Sequence, residues 1–287
     1  MNSVQDGLPL APDRQTVAQY LSYWLEHVAA KQVRPKTHRT YKDLAAQHLI
    51  PALGKIALSK LTPQRIREFM NAKLAEKTGR DERTYSARSV KHMPDTLRAA
   101  LNIAVRDGVL PRNPAALVDS PRASKEHEPC ILGPEEARQF LEACHGSRLE
   151  ALFCVTLALG MREGEILGLR WADIDFESRT LTIRYQLQRL DGKLKLAEPK
   201  TQKSRRSIVV PAIAVAALRA HQMRQQREQI LAGERWHETG MVFTTSIGTM
   251  LDARNMLREF YRIIRDPRNS LPQIRFTICV TARPHFS

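Results

Sequence analysis

The sequence predicts a mainly α-helical chain of two domains, the second carrying a small antiparallel sheet. Three observations predict it. Apolar residues recur at i, i+3, i+4 and i+7 over most of the length, the spacing that gathers them on one helical face. One stretch, "RTLTIRYQLQ", alternates instead and is β-branched; "DG" at 191–192 follows as a tight hairpin turn, and "RRSIVVP" supplies a further strand. Between two helical blocks, "LPRNPAALVDSPRASKEHEP" is rich in Pro, Ser and charge, and reads as a linker with a boundary near residue 122.

Residues 1–14 read as a flexible tail. The first helix carries Val17, Tyr20, Leu21, Trp24, Leu25 and Val28 on one stripe. Pro35 and Thr37 open a second, with Thr37 as N-cap, and it is expected to stop at Pro51. Thr62 caps a third, with Pro63 at N1, where a missing N–H costs nothing. A polar segment, "EKTGRDERTYS", leads to a fourth with the stripe Val90, Leu97, Leu101, Ala104 and Val105, and with Gly108 just past its end. Pro94 implies that this helix either kinks there or starts near Met93. In the second block, "GPEEARQFLEAC" opens a helix with Pro134 at N1 and acids in the first turn. "RLEALFCVTLALG" is a buried helix ended by Gly160, and "REGEILGLRW" is another helical stretch. Two more helices follow near 212–232 and 252–265. The expected boundaries are 15–122 and 130–276, joined by 123–129, with 277–287 outside both.

The 287 residues carry 45 Lys+Arg against 30 Asp+Glu, a formal charge of +15. So basic a balance describes partners rather than fold, and favours nucleic acid or an anionic surface. No apolar run reaches the roughly 18 residues of a membrane span. The N-terminal residues lack the basic and apolar regions of a secretory signal. A cytoplasmic protein that meets DNA or RNA is expected. Cys130, Cys144, Cys154 and Cys279 form no C-x-x-C pair and no zinc-like spacing with the nine His, so buried free thiols are expected.

The informative run is "LALGMREGEILGLRWADIDFESRTLTI", followed by "EPKTQKSRRSIVVP". With "TVAQYLSYWL", "KTHRTYKDLAAQHLIPALGKIALSKLTPQRI" and "AALNIAVRDGVLPRNPA", it resembles the tyrosine recombinase (phage integrase) family over roughly residues 15 to 276. The resemblance implies a four-helix SAM-like core-binding domain and an α+β catalytic domain, the latter incomplete, closing as two lobes on duplex DNA. It implies site-specific recombination through a transient 3′-phosphotyrosine, with other protomers on the DNA and no metal, ATP or other cofactor. It assigns Arg162 as a catalytic arginine, Lys200 as the hairpin lysine that protonates the leaving 5′-oxygen, and Glu165 as a supporting acid. A guanidinium suits two non-bridging phosphate oxygens in a way an ammonium does not. An isolated arginine at a helix start is nearly always a solvated charge; the surrounding motif reverses that reading for Arg162. Lys203, Arg205 and Arg206 stand close to Lys200, and such a basic tip can simply touch phosphates. The runs "RPKTHR" and "KSRR" ordinarily form solvated faces; here Arg34, Lys36, Thr37, Arg39, Lys203 and Arg205 are candidate DNA contacts. Trp24 and Trp171 read as core, and "WADIDF" as a turn before a strand rather than a metal pair at Asp173 and Asp175.

The family pattern breaks after "LPQIRF". The expected His-x-x-Arg motif and the nucleophilic tyrosine have no match in these residues; Tyr261 precedes the position and His285 matches nothing. The genetic code offers an explanation. Read one base early, from the last base of the Phe276 codon, the degenerate codons of residues 276–287 permit "HDLRHSAATLL", which looks like the missing motif. A frameshift at or just before Phe276 is therefore expected, and with it a chain that does not cleave DNA. The rival readings are a catalytically silent protein occupying attachment sites, and a basic helical protein whose partner is RNA.

Overall fold

The computed structural model describes residues 15–78, 83–119, 121, 132–190, 192–199, 205–269 and 271–276. The chain divides into two compact units, Met1–Glu126 and His127–Ser287.

In the first unit, Thr16 caps α1 (Val17–Tyr23) reciprocally. Its Oγ1 accepts the Gln19 N–H at 3.2 Å, and Gln19 Oε1 accepts the Thr16 N–H at 2.9 Å. The helix widens to a π-segment over Trp24–Ala29 and ends as α2 (Ala30–Gln32). Val17, Tyr20, Leu21 and Trp24 are buried as the spacing requires. Thr37 is not the cap of the next helix. Arg34 holds the N-cap position with extended backbone, and Pro35 is N1 of α3 (Pro35–Leu44). Proline drives the residue before it out of the helical region, so the helix starts at the proline itself. Nor does Pro51 stop this helix. A π-segment, Ala45–Leu49, carries it into α4 (Ile50–Leu53). The Ile50 N–H already reaches five residues back to Ala45 O. The ladder is thus in the wider register when it meets Pro51, and the missing N–H removes no α-type bond.

Thr62 caps α5 (Pro63–Ala75), accepting the Arg65 N–H at 3.3 Å. Two short strands not anticipated in the polar segment, β1 (Lys77–Thr78) and β2 (Arg83–Thr84), pair antiparallel. Ser86 then caps α6 (Ala87–Arg106), which contains Pro94 in its interior, so a start near Met93 is excluded. Pro94 is buried along with Met93, Thr96 and Leu97; this packing outweighs an intrinsic cost of about 3 kcal/mol. Tyr20 Oη donates to Ala100 O at 3.1 Å, tying α1 to α6.

The Pro-rich stretch before residue 119 packs on the first unit. Pro114–Leu117 form a 3-10 turn, with Pro114, Ala115 and Val118 buried in the helical core. Arg98 on α6 donates to Ala115 O at 3.1 Å and Val118 O at 2.9 Å. These carbonyls have no regular ladder, so the guanidinium supplies their donors.

The second unit is built on α7 (Pro134–Ala143), α8 (Glu150–Leu159) and the short α9 (Glu163–Leu167). Gly160 ends α8 at φ 63°, a left-handed cap that suits glycine. After a 3-10 turn at Trp171–Asp173 come β3 (Ile174–Asp175), β4 (Thr180–Ile183), β5 (Gln186–Leu190), β6 (Lys193–Ala197) and β7 (Arg206–Val209). The order β3-β4-β7 makes one antiparallel sheet, and β5 and β6 pair separately as an antiparallel hairpin. "RTLTIRYQLQ" is therefore two strands, broken at 184–185. The break follows from α9. A Cβ on Gly168 would lie 2.8 Å from both Gln186 Cα and Leu187 N, and one on Gly164 would lie 3.1 Å from Leu187 O. The chain leaves the sheet so that β5 can lie against the bare glycine face of α9.

Two long helices complete the unit, α10 (Ala212–Ala232) and α11 (Ala253–Ile264). Its core centres on four phenylalanines. Phe260 stands 5.7 Å from Phe140, 6.0 Å from Phe153 and 5.4 Å from Phe276, ring centre to ring centre. Cys144 and Cys154 are buried thiols, and burial pushes that of Cys154 up to about 11. Cys130, Cys279 and residues 277–287 lie outside the described residues. Among the described residues no helix is long and apolar enough to cross a membrane.

Candidate functional site

Glu165 is the centre of the arrangement. Its side chain is 5% exposed, yet it carries a carboxylate on the first turn of α9. Three groups satisfy it. The Arg162 backbone N–H donates to Oε2 at 3.0 Å, and Arg162 Nη1 donates to Oε1 at 2.9 Å. Arg206, the first residue of β7, donates Nη1 to Oε1 at 3.2 Å and Nη2 to Oε2 at 3.0 Å. Burial alone would raise the carboxyl pKa, but the hydrogen bonds from Arg206 and Arg162 outweigh it and hold Glu165 below the usual range. The carboxylate is thus ionised, and Arg162 stands over it with its side chain 71% exposed.

The fold therefore brings Arg162 and Glu165 together and adds Arg206, which sequence reasoning had left among the basic residues of a hairpin tip. A signal for it existed. Along β7 burial alternates, with Arg206 and Ile208 turned inward and Ser207 and Val209 outward. An inward arginine on a strand needs a buried acid. Arg205, its outward neighbour, pairs with Glu198 at 2.6 Å. Lys200 and Lys203 lie outside the described residues. In the other unit, Arg34, Lys36 and Arg39 are exposed at the start of α3, and Thr37 is half-buried there. Arg39 Nε is 3.7 Å from Asp43.

Asp173 and Asp175 are explained without a metal. The Asp173 side chain, 2% exposed, accepts from Arg170 at 2.9 and 3.0 Å and lies 3.4 Å from Arg184. Asp175 caps the turn, accepting the N–H groups of Glu177 and Ser178. Tyr261 packs on the core, its ring edge-on to Phe260 and covered by the Arg265 guanidinium at 5.1 Å. Trp171 is partly buried and donates Nε1 to Gln225 Oε1 at 2.7 Å.

Behind the site, α10 is held by a buried polar network. His221 Nε2 donates to Val242 O at 2.7 Å, and its Nδ1 accepts from Arg224 at 3.1 Å, a pattern that assigns the neutral tautomer. Burial pushes its pKa down to about 4, against an opposing pull from the Val242 carbonyl. The unfolded chain, whose histidine titrates near 6.5, binds this proton more readily. The neutral group's contribution is complete above about pH 6.5 and is lost as pH falls toward 4, roughly 3 kcal/mol in all. Thermal melts between pH 7 and pH 4 are expected to show this decline, and an unfolding midpoint flat across that window would contradict it.

Two family models match the chain. One, described as the phage integrase N-terminal SAM-like domain, covers residues 16–74; the other, described as the phage integrase family, covers residues 131–272. The chain belongs to the phage integrase family of tyrosine recombinases. Among curated relatives, this family member is 29% identical over 294 residues to a "Tyrosine recombinase XerC-like" protein of Caldanaerobacter subterraneus subsp. tengcongensis, covering 96% of this chain and 73% of that one. It is 29% identical over 271 residues to an integrase of Streptomyces ambofaciens, covering 91% of this chain and 66% of that one, so it spans about two thirds of that relative's length. Among solved structures, the integrase of transposon Tn1549 in complex with transposon right end DNA superposes with a TM-score of 0.76 at 21% identity, covering 92% of this chain and 84% of that one. At that identity the likeness is one of fold.

Proposed function

We propose that this integrase-family chain binds duplex DNA and holds a phosphodiester at Arg162 as part of a site-specific recombination site, and that the 287 residues do not themselves cleave it. The observation that carries the reading is the exposed Arg162 guanidinium seated on a buried, ionised Glu165 within "GMREGEILGLRW". One Nη engages the carboxylate, and the remaining donors are available to two non-bridging phosphate oxygens. A positive charge fixed there would stabilise the charge that builds on phosphorus as it becomes pentavalent. Lys200 is proposed to protonate the leaving 5′-oxygen. Arg34, Lys36, Thr37, Arg39, Lys203 and Arg205 are proposed to contact the DNA backbone, where such contacts position the protein without reading sequence.

The inactive reading rests on the content of the sequence. No second arginine of a His-x-x-Arg motif and no tyrosine matches the family positions, and codons 276–287 permit "HDLRHSAATLL" one base out of register. The burial of Phe276, 3% exposed against Phe260, supports placing the shift at the last base of its codon, because that residue packs as an in-frame core residue does. A chain with these properties would still occupy a recombination site, which is the silent DNA-binding alternative; the two readings differ only in what the gene encodes beyond codon 276.

Duplex binding is expected to be steeply salt-dependent, because neutralising several phosphates releases condensed counterions. Engaging about six phosphates would cost about 10³-fold in affinity between roughly 50 and 200 mM salt. Fluorescence anisotropy with a labelled duplex, beside structured RNA of equal length, checks this. Folded protein that ignores the duplex at low salt, or prefers the RNA, would overturn the function proposed here.

A further inference from the structure

We propose that Arg206 is a positioning residue of this site, acting on Arg162 through Glu165 rather than touching DNA. The inference rests on the reading of Arg162 as a phosphate clamp. It starts from how three groups share one carboxylate. Glu165 is buried and ionised, and a buried carboxylate draws in every donor within reach. If Arg162 were its only cationic partner, the favourable geometry would be a bidentate fork, and Arg162 would turn down into the unit with both terminal nitrogens engaged. Arg206 removes that pull. It places one terminal nitrogen on each carboxylate oxygen, at 3.2 and 3.0 Å, and its side chain is 32% exposed. The Arg162 guanidinium is left with a single contact to the acid, at Oε1 and 2.9 Å, and a side chain 71% exposed. The two arginines thus differ in what they do. One saturates the acid from the sheet side, and the other is steered by it while keeping most of its donors outward.

The chain position of Arg206 adds to this. It opens β7, where it pairs in register with Ile183 of β4, directly after the connection that contains Lys200. The ion pair therefore fastens the strand leaving the Lys200 connection to the helix that follows Arg162. Two groups proposed to act on one phosphodiester come from segments far apart in sequence, and Glu165–Arg206 is a polar tie between the described parts of those segments.

The test uses the 287-residue chain with Arg206→Ala, Glu165→Gln, the double variant and Arg206→Lys. Folding is checked for each by circular dichroism; the double variant removes both charges of the pair and serves if Arg206→Ala alone does not fold. Two quantities are measured: the titration midpoint of the Glu165 carboxyl by carbon NMR, and affinity for a labelled duplex. Arg206→Ala is expected to raise the Glu165 midpoint and to weaken duplex binding about tenfold, the scale of a hydrogen bond to a charged group. In the Glu165→Gln background the same substitution is expected to cost little more, because the two residues act as one unit. Arg206→Lys is expected to recover only part of the loss, since one ammonium does not span both oxygens. An equal loss from Arg206→Ala in both backgrounds would mean a direct phosphate contact and overturn the inference, as would an unmoved Glu165 midpoint or full recovery by lysine. If the unaltered chain binds no duplex, the function proposed above fails and takes this inference with it; if it binds and Arg206→Ala binds equally well, the inference alone fails.

Discussion

Incubated with a nicked suicide duplex, the 287-residue chain is expected to leave no covalent protein–DNA species on a denaturing gel. The same gene with its frame restored at codon 276 is expected to produce one. Arg162 and Glu165 can hold a phosphate, but holding it forms no bond, and a covalent intermediate needs a nucleophile activated beside the phosphorus. Tyr261 does not substitute, because its ring is packed between Phe260 and Arg265 on the core face of α11. In the restored protein, Arg162→Ala is expected to lower adduct formation about 10²- to 10³-fold, the scale seen when one transition-state donor is removed. An adduct from the 287-residue chain refutes the inactive reading. Nucleotide sequence beyond codon 276 that encodes no tyrosine in the alternative frame refutes the frameshift, and a restored protein indifferent to Arg162→Ala refutes the assignment of that arginine.

Phe260→Ala is expected to destabilise the second unit by about 3–5 kcal/mol, a large share of the roughly 5–15 kcal/mol that a domain holds in reserve. Phe260 is fully buried and touches the rings of Phe140, Phe153 and Phe276, which come from three other parts of the chain. Four large rings packed edge-on or tilted against one another cannot close over the space that one of them vacates, so the cavity remains. Urea unfolding followed by circular dichroism gives the number. A loss under about 1 kcal/mol would mean that the cluster relaxes, and that the unit is less tightly packed than these ring distances require.

The caps and stripes were legible because they depend on neighbours in sequence. Thr62 before Pro63, Gly160 after "LAL" and the Val17–Trp24 stripe each follow from local rules, and each is realised. What was not legible depends on partners far away. Pro51 reads as a helix stop, and Pro94 as either a kink or a late start, because the cost of proline is local, whereas what offsets it is not: a π-segment before Pro51, and a buried surface around Pro94. "RTLTIRYQLQ" reads as one strand because alternation cannot reveal which partner each half pairs with. In the site, Arg162 and Glu165 stand three apart and belong to one motif, but Arg206 comes from a strand beyond the hairpin. Only the inward turn of β7 distinguishes it from Arg205. The Thr37 cap failed for a simpler reason, since Pro35 outranks it at the helix start.

The glycine face of α9 has a mechanical consequence. Helices and strands usually meet through a layer of side chains, which can rotate and absorb small displacements. Between α9 and β5 no such cushion exists at Gly164 and Gly168, where backbone rests against backbone. A side chain added at either glycine therefore has no neighbour it can push aside by rotation: to make room, the β5 backbone itself must move away from α9.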